Sequence, residues 1–119
     1  EKVQEAKRDL LSLLITCKKR GTIVGIGSAA RSNTLLNFTH IDTTLIDYIG
    51  EKKGSPKIGM YTPGTHIPVV DEAIIFKEQP EYALILSWHI GEELMKIYRK
   101  LGYRGTFILP LPTPRLVTV

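Results

Sequence analysis

A single cysteine, Cys17, is all the thiol this sequence has. No internal disulfide can form, which fits a reducing cytoplasm, and no cysteine framework for zinc is present. Long apolar runs are also missing. None approaches the ~20 residues needed to cross a bilayer, so a membrane location is not expected. No basic run is interleaved with aromatics, which argues against a nucleic-acid partner. These residues show no internal repeat and no low-complexity stretch, and no signal peptide is expected, although the chain opens on Glu1 rather than methionine. A beginning inside a helical pattern suggests a piece of something longer. The net charge of +4 across 119 residues is a mild bias, spread over scattered lysines and arginines. It is compatible with a solvated face or with attraction to phosphate-bearing ligands.

What is present is organised around residues 22–38. A β-branched run, Thr22 to Ile26, leads into Gly25-Ile26-Gly27-Ser28-Ala29-Ala30, and a helical pattern follows to Phe38. This is the strand, glycine turn and helix of a Rossmann-like unit, with Ala30 at the last small position of GxGxxG/A. Gly25 would permit the tight turn, and Gly27 would let a ligand approach bare backbone. Free N–H groups at the helix start would favour an anion.

Elsewhere the pattern alternates. Residues 1–20 form an amphipathic helix, with Leu10, Leu14 and Cys17 on its apolar stripe. Strands are predicted at Leu45–Ile49, at Ile67–Val70 on a sheet edge beside Pro68, at Tyr82–Leu86 and at Gly105–Leu109. Helices are predicted at Glu72–Glu78, capped by Asp71, and at Ile90–Leu101, with Ile90, Leu94, Ile97, Tyr98 and Leu101 on one face. Residues Arg115–Val119 read as an extra strand or a docking tail. The whole is a single α/β domain, residues 1–119: a Rossmann-like three-layer fold with a mainly parallel sheet of about five strands, order 3-2-1-4-5, and helices on both faces.

Ligands of such sheets sit beyond the carboxyl ends of the strands, where strand order reverses. Three segments are expected to converge there: Gly27–Asn33, Tyr61–His66 and Ser87–His89. Candidate substrate-binding residues are Gly27, Ser28, Arg31, Asn33, Thr62, Gly64, Thr65, His66, Trp88 and His89. Arg31 could hold a phosphate as a fork. Asn33, Thr62 and Thr65 could bind sugar hydroxyls, and Trp88 could stack on a flat ring. Thr65→Val is expected to leave stability within about 1 kcal/mol, as at exposed sites. No catalytic residue stands out; His66 or His89 could serve as a general base, and His66 is the candidate named. Ser28 is not in a nucleophile elbow, because GxSxG is absent. His40, His66 and His89 are too scattered for a metal. Glu51 is either a ribose-gripping carboxylate or a solvated loop residue beside lysines. The first option keeps open a stand-alone module that binds NAD or another nucleotide.

Several stretches resemble one family, the S-adenosylmethionine-dependent sugar C-methyltransferases. Gly25 to Phe38 is similar to its "G-x-G-A…G-N-T-L-L-N-Y" run. Tyr61-Thr62-Pro63-Gly64-Thr65-His66-Ile67-Pro68-Val69 is similar to its "Y-T-P-G-T-H-I-P-I" signature. Pro80 to Trp88 and Pro110 to Arg115 are similar too. The pattern departs at Ala30-Arg31-Ser32, where a lysine–glycine pair is common. It departs again at Glu51 for aspartate and at His89 for asparagine. The resemblance implies the C-terminal, substrate-side domain of a three-domain enzyme, inactive in isolation, that closes over a nucleotide-linked sugar. S-adenosylmethionine and a structural zinc are then expected in upstream domains, with no cofactor or metal in this one. The implied partners are the nucleotide sugar and the upstream methyl-donor domain.

Overall fold

A computed structural model describes residues 2–27, 35–37 and 39–118, with backbone alone at 2 and 3. Helix α1 (Lys2–Lys18) leads into β1 (Ile23–Ile26). Residues 35–37 are helical, within the predicted crossover helix. There follow β2 (Ile49–Glu51), β3 (Val69–Asp71), α2 (Ala73–Glu78) and β4 (Tyr82–Ile85). A 3-10 turn (Trp88–Ile90), α3 (Gly91–Lys100), β5 (Thr106–Leu109) and β6 (Arg115–Val117) complete the chain. The sheet has six strands in the order β3-β2-β1-β4-β5-β6. The first five are parallel, as the sequence predicts. The C-terminal tail returns antiparallel against β5.

Strand side chains alternate between two cores. Ile23, Ile49, Tyr82, Leu84 and Ile108 pack with Leu10, Leu14 and Cys17 of α1 and with Leu36. Val24, Ile26, Ala83, Ile85, Phe107 and Leu109 pack on the other face with Ile75 of α2 and with Met95 and Tyr98 of α3. This gives helix, sheet and helix layers. Burial raises the Cys17 thiol pKa above its ordinary value, so the thiol acts as core filling.

Three expectations need correction. Leu45 and Ile46 are not strand: both donate their N–H groups to the Asp42 carbonyl. The Asp42 carboxylate also takes the Thr44 N–H (2.9 Å) and hydroxyl (2.6 Å), closing a turn that delays β2. Gly25 is not the turn residue. It lies buried inside β1, where a Cβ would fall 2.9 Å from Leu86 Cδ1 and 3.0 Å from Ile49 Cγ1. The turn belongs to Gly27, at φ 84°. Finally, α3 buries Gly91, Met95 and Tyr98, while Ile90, Ile97 and Leu101 are 42%, 43% and 54% exposed. The predicted apolar face is therefore split between core and surface.

Candidate functional site

A crevice of about 300 Å³ opens at the carboxyl ends of β1, β2 and β4, on the α2–α3 side of the sheet. It lies where strand order reverses, between β1 and β4. Strand ends make its floor: Ile26, Gly27, Gly50, Glu51 and Ser87. Gly27 turns the chain away there, and a Cβ on it would meet Ser87 Oγ at 2.5 Å. The α3 side supplies an apolar wall of Ile90, Leu94 and Ile97. The opposite rim carries Lys52, Lys57 and Glu72.

Glu72 is fixed twice. Its N–H donates to the Glu51 carbonyl at 2.8 Å, and its carboxylate accepts the Tyr98 hydroxyl at 2.6 Å. Burial, the bond to Glu72 and the Glu51 charge all raise the Tyr98 pKa, so the phenol stays protonated and donates. Polar groups thus lie over β2 and β3, and apolar ones along α3. Such a crevice suits a ligand with one hydroxyl- or phosphate-rich end and one apolar flank.

Only Gly27 of the described candidate residues lines this crevice. Ser28, Arg31 and Asn33 lie outside the described residues. Trp88 and His89 are at the same end of the sheet, in the 3-10 turn after β4, with rings edge-to-face at 5.9 Å. Trp88 is half-buried and His89 exposed.

The Thr62–His66 loop is elsewhere, and the expected convergence of three segments does not occur. Met60 and Tyr61 run antiparallel to Pro68 and Val69, and the Thr62 N–H reaches the Ile67 carbonyl at 2.9 Å. Ile67 stands level with Ile23 and Tyr82, the first residues of their strands. The loop therefore projects beyond the amino ends of the sheet. Its two threonine hydroxyls are satisfied locally. The Thr62 and Thr65 hydroxyls are buried and bonded to each other, and Thr62 Oγ1 also accepts the Ile67 N–H at 2.9 Å. The Asn37 amide donates to the Pro63 carbonyl at 3.1 Å. Gly64 has φ 81° and lies against the Asn37 side chain. His66, at φ 56°, is exposed on this loop, and Thr65 is not the exposed position that the sequence suggests.

The crevice also uses residues that sequence reasoning passed over. Lys52 and Lys57 read as solvated loop charges, Glu72 as the start of a helix and Tyr98 as core; Ser87, by contrast, opens a segment expected at the site, and it does line the crevice. Strand register is what gathers them. Glu51 stands at the end of β2 rather than in a loop, and lines the crevice floor. Among the described residues, no group of three His, Cys, Asp or Glu side chains could hold a metal. No helix among them is long and apolar enough to cross a membrane.

A profile of the C-methyltransferase C-terminal domain matches residues 1–112. The chain belongs to that family. It is also 26% identical, over 119 residues, to the C-methyltransferase NovU of Streptomyces niveus. That alignment covers 99% of this chain but 28% of the relative, so the chain spans little more than a quarter of the longer protein. In this C-methyltransferase C-terminal domain, the glycine turn sits at the crevice and the Thr-Pro-Gly-Thr-His stretch builds the opposite end.

Proposed function

We propose that this domain forms the substrate side of an S-adenosylmethionine-dependent methyltransferase acting on a nucleotide-linked sugar. The observation that carries it is the family match over residues 1–112, joined to a crevice at the carboxyl ends of the strands. S-adenosylmethionine supplies an electrophilic methyl group. No residue of this chain is assigned to it, and the donor belongs to the remainder of the longer protein. The same holds for zinc, since the chain has one cysteine, buried in the α1 core.

Within the crevice, Lys52 and Lys57 are placed to attract the phosphates, and the Glu51 and Glu72 carboxylates to accept hydroxyls. Gly27 lets the ligand lie against backbone, with the 28–34 segment, which contains Ser28, Arg31 and Asn33, following it in sequence. Thr62, Gly64, Thr65 and His66 serve binding indirectly, by holding the amino end of the sheet. Trp88 and His89 flank the ligand's exit toward the methyl-donor part.

The test is calorimetric titration with a deoxythymidine-diphosphate sugar and, separately, with NAD. Binding of the sugar nucleotide that weakens about tenfold in Lys52→Ala/Lys57→Ala is expected, as for loss of charged hydrogen bonds. Tight NAD binding without sugar-nucleotide binding overturns the proposal.

A further inference from the structure

The sheet treats its two edges differently. Beyond β3, the chain folds back on itself: Gly59 N–H donates to the Val69 carbonyl and Val69 N–H to the Met60 carbonyl, both at 2.9 Å. An edge covered in this way recruits no further strand. The opposite edge is β6, and among the described residues no strand pairs with its outer side. A groove of about 610 Å³ runs between β6 and α3. Met95 and Val117 provide apolar lining, while Lys96, Arg99 and Arg115 outnumber Glu92.

This edge is held firmly. Arg99 donates to the carbonyls of Tyr103 (2.8 Å) and Thr118 (3.2 Å), and its guanidinium lies 4.4 Å from the Phe107 ring centroid. That ties the end of α3 to the end of β6. On the strand itself Leu116 is 43% exposed, and Lys96 and Arg115 are exposed at the rim.

We propose that β6 is a docking edge for an extended acidic segment of a partner polypeptide. The segment adds as a further strand beside β6, with its carboxylates over Lys96 and Arg115 and an apolar side chain against Met95 and Val117. Main-chain hydrogen bonds supply affinity in such additions, and side chains supply selectivity. Charge chooses the occupant. A second copy of this chain would bring one cationic rim against another, whereas an acidic strand neutralises it. This inference stands apart from the crevice and from its ligand.

The purified protein is titrated with a labelled heptapeptide of alternating glutamate and valine, and with its lysine–valine counterpart, by fluorescence anisotropy. The acidic peptide is expected to bind at least about tenfold more tightly, and to weaken by a similar factor between low and high salt. Lys96→Glu/Arg115→Glu should abolish that preference with the melting temperature unchanged, because both side chains are exposed. N-methylating alternate peptide bonds of the acidic peptide should remove binding, since a strand addition needs those N–H groups. No binding, equal binding of both peptides, full binding of the methylated peptide, or a dimer in sedimentation that excludes the peptide would each overturn the proposal.

Discussion

Asn37 and Gly64 lie against each other at the amino end of the sheet, with the Asn37 amide donating to the neighbouring Pro63 carbonyl at 3.1 Å. A residue of the first crossover helix thereby fixes a loop 26 positions further on. Gly64 sits at φ 81°, so any side chain there meets both backbone strain and the Asn37 amide. Gly64→Ala should cost about 1–3 kcal/mol in urea unfolding. Ligand binding at the crevice, at the other end of the strands, should change less than twofold at temperatures where the variant is folded.

Thr62→Val should be more damaging than a surface substitution. It removes the buried acceptor of the Ile67 N–H and the partner of the Thr65 hydroxyl. Stranding buried polar groups costs about 1–3 kcal/mol. Chemical denaturation of the variant measures it, and a change under half of 1 kcal/mol would refute the reading of these hydroxyls as structural.

Gly27→Val is expected to harm both folding and the crevice. The backbone there is left-handed, and the added carbon would press on Ser87 Oγ. A branched residue at positive φ costs about 1–3 kcal/mol, and its side chain would also reach into the crevice floor. A parent-like melting temperature together with parent-like sugar-nucleotide binding would place the turn elsewhere.

Acid should weaken a link between the amino ends of β1 and β4. Glu81 Oε1 accepts the Thr22 N–H at 2.7 Å, and this bond holds its carboxyl pKa below the ordinary value of 4.5. The folded state thus binds that proton less readily than the unfolded chain does. The contribution is complete above the ordinary value and is lost as pH falls through the lower, folded one. Glu81→Gln should flatten the acid limb of a stability-against-pH curve and leave the neutral region's slope alone.

The centre of the sheet was legible because β1, β4 and β5 fall in largely apolar runs that end in punctuation, as at Tyr82–Leu86 and Phe107–Leu109. The strand order followed from the alternation of elements. Register was less legible. The turn at Asp42 moved β2 along the chain, because one carboxylate and one carbonyl outcompeted the apolar pattern of Leu45 and Ile46. The amphipathic reading of α3 failed for a related reason. Its periodicity fits two adjacent stripes, and only packing decides that Met95 and Tyr98 go inside while Ile97 stays out.

Of the crevice, the sequence shows the end of the sheet at which it opens, through the glycine turn at Gly27, but little of its lining: Lys52, Lys57, Glu72 and Tyr98 are scattered in sequence and meet only through folding. The Thr-Pro-Gly-Thr-His stretch lies at the opposite end of the sheet, where the Thr62 and Thr65 hydroxyls bond to each other and Thr62 Oγ1 accepts the Ile67 N–H, pairings that sequence spacing does not reveal.

Gly25 carries a consequence for related sequences. Because Leu86 and Ile49 close over its bare Cα, the three positions share one fixed volume. Homologues with alanine or serine at this point should carry a trimmed side chain at 86 or 49, and paired variation of that kind would be visible in an alignment without any biochemistry.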